Sequence, residues 1–182
     1  MARQTDTRMR VVDALETLLR TRKLENVRIG DLCRMSRISR TTFYVYFEDI
    51  YAVVQWFWDD LCSRSLYRIN ADLTWEHGHL IMLQGLLQRR DFFKYLFARK
   101  DYQSLFSYGY RKSLIIHVEN IERLLGRAMT DQELFELDYS VRSLSAMTTK
   151  WAEEGMEIPP EQVCALFGRF VPPFSRFDPA GH

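Results

Sequence analysis

Residues 28–47 read RIGDLCRMSRISRTTFYVYF. The first half of this stretch places Ile29, Leu32 and Cys33 on one face of a short helix, and a three-residue break follows. Ser39 then suits the N-cap of a second short helix, because its hydroxyl can accept a hydrogen bond from an otherwise free amide of the first turn. Two short helices separated by such a break have the spacing of a helix-turn-helix unit.

The second of these helices carries the residues that would meet DNA. In a helix-turn-helix unit the N-terminal residues of the second helix face base edges in the major groove. Here those positions are small or carry hydrogen-bond donors: Ser39, Arg40, Thr41 and Thr42. Phe43 and Phe47 are four positions apart and can pack inward, whereas the hydroxyls of Tyr44 and Tyr46 can reach phosphates.

Composition limits the class of protein. The chain has 182 residues, of which 47% are hydrophobic and 27% are charged, an ordinary balance for a globular protein with a sizeable core. No long uncharged apolar run indicates a membrane span, and the polar N-terminus lacks a signal core. The three cysteines are far apart in the sequence and form neither a disulfide framework nor a zinc spacing, so we expect a cytoplasmic protein.

Charge is distributed unevenly along the chain. The net charge is only +1, but residues 20–46 contain seven Lys or Arg against two Asp or Glu, a local charge of +5. A basic patch on a nearly neutral protein indicates a polyanionic partner, although an ordinary solvated surface explains the charge equally well.

Periodicity and end signals predict an all-α chain of about nine helices. All five prolines lie after residue 158, and Val11, Leu15 and Leu18 recur at helical spacing. After the helix-turn-helix unit, caps and breaks predict six further helices: from Ile50 after an Asp49 cap, Leu80 to Gln88 after a break over 70–79, Asp91 to Phe97, Tyr102 to Leu125, Thr130 to Glu154, and Pro160 to a point before Pro172. The predicted division is a DNA-binding domain over 1–49, a helical domain over 50–174 and a tail over 175–182.

The helix-turn-helix region resembles that of TetR-family transcriptional regulators. The family pattern is matched in register over about 25 residues by Asp31-Leu32, Ile38-Ser39, Thr42-Phe43-Tyr44 and Tyr46-Phe47. The resemblance implies an N-terminal three-helix DNA-binding domain followed by a helical ligand-binding and dimerisation domain. It also implies double-stranded operator DNA and a second copy of the chain as partners, and neither a cofactor nor a metal.

Three positions depart from the family pattern. The turn glycine of the family is Arg37 here, which would carry strain in a left-handed backbone but could gain a phosphate contact. Where the family has a hydroxyl residue at the start of the first helix of the unit, this chain has Arg28. Where the family has a lysine after the unit, this chain has Ile50. The predicted DNA-binding residues are therefore those of the second helix together with these arginines: Arg28, Arg37, Ser39, Arg40, Thr41, Thr42, Tyr44 and Tyr46.

By the same resemblance, the middle helices enclose an effector pocket for a small apolar or aromatic molecule. Its candidate lining residues are Trp56, Phe93, Phe97, Tyr102, Phe106, Tyr110 and His117. The alternative is that these rings only fill the core. The last two long helices would pair with their copies through an apolar stripe, whose candidates are Leu137, Val141, Leu144, Trp151 and Phe167, although any buried helix shows such a stripe.

Two classes of function follow from the sequence. The first is a homodimeric regulator, most simply a repressor, that binds a palindromic operator and is released by a ligand. The second is a co-activator or interaction module of the same fold that recognises a partner protein and no small molecule. No nucleophile elbow, phosphate loop or zinc signature indicates an enzyme, and the His77-x-His79 pair lacks a third metal ligand at a suggestive spacing.

Overall fold

The computed structural model describes residues 2–97 and 105–176, with side chains from Thr7 onward. These ranges contain α-helices, short 3-10 turns and no β-strand. The helices are α1 (Ala2–Leu19), α2 (Ile29–Ser36), α3 (Arg40–Tyr46), α4 (Ile50–Arg64), α5 (Trp75–Gln88), α6 (Arg90–Phe97), α7 (Leu105–Leu125), α8 (Asp131–Glu153) and α9 (Pro160–Phe167). The prediction of an all-α chain is confirmed.

Local capping explains four of the nine helix starts in the described ranges. The Asp49 carboxylate accepts a hydrogen bond from the Ala52 amide at 2.8 Å at the start of α4. Thr130 and Glu133 form a reciprocal capping box at the start of α8, and Pro160 occupies the first turn of α9. These ends lie where the sequence predicts them because each depends on residues only a few positions apart.

Helix α5 starts earlier than the sequence predicts. The predicted break over 70–79 is wrong for its second half, because the Thr74 hydroxyl accepts the His77 amide at 3.2 Å and caps a helix that begins at Trp75. Trp75, His79 and Met82 are all buried on one face of this helix. The pair His77-x-His79 therefore lies in a helix with only its first member exposed.

A large apolar core runs through the molecule, and a smaller cluster of buried residues lies where α7 meets α8. Val11 of α1, Phe43 of α3, Phe93 of α6 and Val163 of α9 belong to the same cluster of buried residues. Because this core crosses the boundary predicted at residue 49, the division into separate domains stays a prediction.

Arg89 links α1 to the following helices. Its guanidinium contacts Asp13 at 2.7 Å and also Glu16, both on α1, and lies 5.2 Å from the centre of the Phe57 ring of α4. The side chain is only 24% exposed, so this contact is less screened by water than an ordinary surface ion pair. The orientation of α1 is thereby tied to α4 and α5.

Candidate DNA-binding surface and internal cavity

The turn between α2 and α3 is closed by hydrogen bonds and by one left-handed residue. The Ser39 hydroxyl accepts the Thr42 amide at 3.0 Å and lies 2.8 Å from the Thr42 hydroxyl, which caps α3. Arg37 has φ 57° and ψ 47°, the left-handed conformation, and the Ile38 amide donates to the Cys33 carbonyl at 3.0 Å. Arg37 is therefore held in a conformation that favours glycine.

The two aromatic residues predicted to pack inward separate α3 into a buried face and an exposed face. Phe43 and Phe47 are buried, with ring centres 5.6 Å apart. The exposed residues among the DNA-binding candidates are Arg28, Arg37, Ser39, Arg40, Thr41 and Tyr44, while Thr42 and Tyr46 are partly buried. The start of α3 thus presents hydroxyl and guanidinium groups to solvent, which are groups able to donate to base edges or phosphates.

The basic residues of this region differ in whether they are already paired. Asp31 forms ion pairs with Arg22 at 2.7 Å and with Arg34 at 3.2 Å. In the described part of the chain, Arg28, Arg37 and Arg40 take part in no salt bridge. Their positive charge is not neutralised by a neighbouring carboxylate and is available to an anionic partner.

Tyr46 and Trp56 sit where the helix-turn-helix unit meets α4. The Arg8 guanidinium lies 5.5 Å from the centre of each ring, and Trp56 packs edge-on against Phe47. Trp56, an effector-pocket candidate, therefore contacts the first helices rather than a cavity among the later ones. Tyr46 retains only part of its surface for contact with DNA.

An internal cavity lies between α4, α5, α6, α7, α8 and α9. About 50 Å³ of it is open to the centres of water-sized atoms. Four pocket candidates line it: Phe97, Phe106, Tyr110 and His117. Phe93 lies instead in a cluster of rings with Phe57 and Phe92, and Tyr102 falls outside the described residues.

Two aromatic residues that were not predicted to line a pocket also line the cavity, Trp58 and His79. Trp58 stands two positions after Trp56, which turns it by about 200° around α4. A signal for His79 existed in the spacing of Trp75, His79 and Met82, which places the three on one helical face. That signal was missed because α5 was predicted to start five residues too late.

The two buried histidines are uncharged at neutral pH. Their ring centres are 5.2 Å apart, and His79 also stacks on Trp75 at 3.9 Å. Burial, reinforced by the neighbouring His117, lowers the pKa of His79 to about 3, and burial lowers the pKa of His117. Each Nδ1 contacts a backbone carbonyl, at 2.9 Å for His79 and 2.7 Å for His117. A carbonyl can only accept, so each Nδ1 carries the proton and each Nε2 is left as an acceptor.

Tyr110 closes the cavity on the side of α8. Its hydroxyl donates to Asp138, whose other oxygen accepts from Arg142 at 3.0 Å, and the Arg142 guanidinium lies 4.3 Å from the centre of the tyrosine ring. The hydrogen bond from Tyr110, followed by the contact with Arg142, lowers the pKa of Asp138. The phenol is thus committed to a fixed partner, and the Arg142 guanidinium lies over its ring.

The dimer candidates lie inside the single chain. Leu137, Val141, Trp151 and Phe167 are buried and Leu144 is partly buried, and the Trp151 indole donates to the Ile158 carbonyl at 2.8 Å. Three of them, Val141, Leu144 and Phe167, line the cavity. Their stripe faces the core of its own chain, and among the five only Leu144 keeps part of its surface exposed. Which surface a second copy would meet stays a prediction.

The exposed apolar surface of the last helices is a different one. Phe135 and Tyr139 of α8 and Phe170 after α9 are 74%, 70% and 75% exposed. The Ser140 hydroxyl contacts the Phe170 carbonyl at 3.5 Å, and the three rings border one shallow groove. We call Phe135, Tyr139 and Phe170 the aromatic face. Large exposed aromatic groups of this kind are typical of protein contacts.

Neither a metal site nor a membrane span is found among the described residues. No group of three or more His, Cys, Asp or Glu side chains in those ranges is placed to hold a metal ion. No helix there has the length and apolarity that a bilayer crossing requires.

Comparison with known proteins gives matches among solved structures. One is described as the dihydroxyacetone kinase operon activator DhaS, with 17% sequence identity and a TM-score of 0.62 over 90% of this chain and 92% of that chain. Another is the TetR family repressor AlkX from Dietzia sp. strain DQ12-45-1b, implicated in biodegradation of n-alkanes, with 15% identity and a TM-score of 0.49 over 90% and 98%. No family model and no curated protein matches the sequence. The similarity to the operon activator establishes a shared all-α fold.

Proposed function

We propose that this chain is a DNA-binding transcriptional regulator of the TetR family. A homodimer binds a palindromic operator through α2 and α3, and a small molecule in the internal cavity releases it. The observation that carries the proposal is the exposed start of α3, where Arg40 and Thr41 follow the Ser39 cap while Phe43 anchors the helix in the core. A rigid helix that presents donors at its N-terminal end suits the major groove.

Arg28 and Arg37 supply affinity rather than sequence preference. They flank α2, outside the helix that enters the groove, and neither has a carboxylate partner among residues 7–97 and 105–176. Phosphate contacts of this kind release counterions, so each lowers the slope of log affinity against log salt by about 0.9. They take over the role of the lysine that the family carries where this chain has Ile50.

Dimerisation uses the aromatic face. One recognition helix contacts only a few base pairs, and two copies related by a twofold axis contact both halves of a palindrome. A twofold interface applies the same patch of both subunits to each other. Phe135, Tyr139 and Phe170 fit that requirement because they are large, exposed and adjacent, whereas the buried stripe of α8 is already occupied by its own chain.

The second candidate is an activator with the same DNA-binding mode. The operon activator of similar fold carries that description, which supports this candidate without deciding between the two. The hypothesis of a co-activator without a small molecule is the other alternative, and a ligand-soaked melting screen distinguishes it, because a molecule that binds the folded chain raises its stability.

Selection of bound fragments from genomic DNA tests the proposal. We expect fragments that share a palindrome whose half-sites lie about one helical turn or more apart. A reporter under the promoter next to that site then separates repression from activation. Recovery of fragments without a common sequence would contradict the proposal.

Two substitutions test which groups contact bases. Arg40→Ala should relax the preference at one or two positions of each half-site by about 1–3 kcal/mol. Arg28→Ala should weaken binding to all sequences alike and flatten the salt dependence. Lys150→Ala removes the same charge from α8, far along the chain from the helix-turn-helix unit, and is the matched control. Unchanged operator preference and affinity in Arg40→Ala would show that this helix does not enter the groove.

A further inference from the structure

Four exposed residues share one side of α3: Arg40, Thr41, Tyr44 and Val45. At about 100° per residue, their positions span an arc of about 140° around the helix axis. The Phe43 ring is buried on another side, and Tyr44 packs edge-on against it with ring centres 5.6 Å apart. Three of the four exposed side chains carry a hydroxyl or guanidinium group, and only Val45 is wholly apolar.

Val45 is left open to solvent by its own chain. It is 72% exposed, as much as the rings of the aromatic face, and it is part of neither cluster of buried residues. A single exposed valine is ordinary on a protein surface. This valine differs in its position, because its neighbours on the same side of α3 are the residues proposed to contact base edges.

Thr41 and Val45 are neighbours on the helix surface. They stand four positions apart, a spacing at which the Cβ atoms of two helical residues lie about 5–6 Å from each other. The Cα–Cβ bond of a helical residue tilts toward the N-terminus of the helix, so the Val45 methyl groups lean toward the turn that carries Thr41. The apolar part of this side therefore lies next to the residues at the start of α3.

Among the four bases, only thymine presents an apolar group in the major groove. Adenine, guanine and cytosine present hydrogen-bond donors and acceptors there, whereas thymine presents its C5-methyl group beside one acceptor. A valine placed against a polar base edge removes water from it without replacing the lost hydrogen bonds, which costs free energy. Against thymine, the same valine buries a methyl group, which is favourable. An exposed valine on this side of α3 therefore suits thymine.

We propose that Val45 is a specificity-determining residue that contacts the C5-methyl group of one thymine in each operator half-site. Val45 stands five positions after Arg40, which corresponds to about 7.5 Å along the helix axis or about two base-pair steps of DNA. The thymine therefore lies about two base pairs from the base that Arg40 contacts. The inference rests on the proposed function, because it requires that α3 enters the major groove.

Replacing thymine with uracil tests the contact, because uracil lacks the C5-methyl group and keeps the same hydrogen-bonding groups. The operator is first obtained by selection of genomic fragments, and each thymine of its half-sites is then replaced in turn. We expect one position at which uracil weakens binding of the full chain about fourfold per half-site, the effect of one buried methyl group. If uracil has no effect at any thymine of the half-site, the proposal is wrong.

The variant Val45→Ala assigns the contact to this side chain. Alanine favours a helix at an exposed position, so the variant should fold, which thermal unfolding checks. In Val45→Ala the same uracil should cause little or no further loss of affinity, because the two changes remove one shared contact. Ile115→Ala is the matched control, since it shortens a 53% exposed aliphatic side chain on α7 and should leave the effect of uracil unchanged. An equal effect of uracil in the unmutated chain and in Val45→Ala would overturn the proposal.

The failure of this inference can be distinguished from that of the proposed function. If genomic selection yields no common sequence, the proposed regulator is wrong and the thymine contact is wrong with it. If selection yields a palindrome and uracil acts equally on the unmutated chain and on Val45→Ala, only the thymine contact is wrong. The DNA-binding function then stands, and Arg40→Ala tests the placement of α3 without reference to Val45.

Discussion

Replacing Arg37 with glycine should stabilise the fold and weaken DNA binding at the same time. Arg37 has φ 57° and ψ 47° in the turn between α2 and α3. The left-handed conformation costs a residue with a Cβ about 1–2 kcal/mol, and glycine avoids this cost. The greater freedom of glycine in the unfolded chain offsets about 0.4–1 kcal/mol. The net gain of about 1 kcal/mol corresponds to about 2–4 °C in melting temperature for a chain of this size.

The opposite effect on DNA comes from removal of the charge. Because Arg37 is exposed and forms no salt bridge in the described part of the chain, its guanidinium is free to contact a phosphate. Arg37→Gly should therefore flatten the salt dependence of operator affinity by about 0.9 for each phosphate that the arginine neutralises. Arg37→Lys keeps both the charge and the strain, so its melting temperature and salt slope should stay close to those of the unmutated chain.

Thermal unfolding and operator titration at several salt concentrations measure the two effects. The stability control is Arg34→Gly, at an exposed position within α2 only three residues earlier, where glycine should cost about 1 kcal/mol. If Arg37→Gly lowers the melting temperature as Arg34→Gly does, position 37 is not strained and the reasoning fails. If it leaves the salt slope unchanged, Arg37 does not contact the DNA backbone.

Three further predictions concern pH, assembly and capping. The free energy of unfolding should fall as the pH drops below about 6.5, the pKa of a histidine in the unfolded chain. Burial lowers the pKa of His79 and His117, so below that pH the unfolded chain binds protons that the folded chain does not bind. For His79 the loss of unfolding free energy between pH 7.5 and 5.5 is about 1 kcal/mol. His79→Gln should therefore make the unfolding free energy depend less on pH, which denaturant titrations at several pH values measure. Phe135→Glu should reduce the sedimenting mass to that of one chain and leave the helical circular dichroism intact. Leu137→Glu, at a buried position two residues later, should instead unfold the protein. If the unmutated chain sediments as a monomer, the aromatic face is not an interface between copies. Ser39→Ala should cost about 1 kcal/mol in unfolding free energy and weaken operator binding, and an unchanged stability would show that the cap contributes nothing.

Short-range signals in the sequence were enough to predict most of the helices. Ser39, Asp49 and the pair Thr130 and Glu133 each act on amides within three residues, so the sequence contains both partners of every cap. The left-handed conformation of Arg37 was expected only from the resemblance, which places the turn glycine of the family at that position, and the structure shows it with φ 57°. The late start predicted for α5 was an error of the same local kind, since Thr74 and Trp75 were available to correct it.

The cavity and the assembly surface depended on tertiary structure. Trp56 and Trp58 stand two positions apart in an apolar stretch of α4, and only the packing of α7 and α8 decides that Trp58 meets the cavity while Trp56 meets the first helices. Periodicity groups Leu137 and Val141 on one face of α8, but it does not tell whether that face contacts its own chain or a copy. Contact with its own chain and contact with a copy both remove this face from water, so both produce the same apolar pattern in the sequence. The position of α7 against α8 assigns it to the interior and leaves Phe135 and Tyr139 outside.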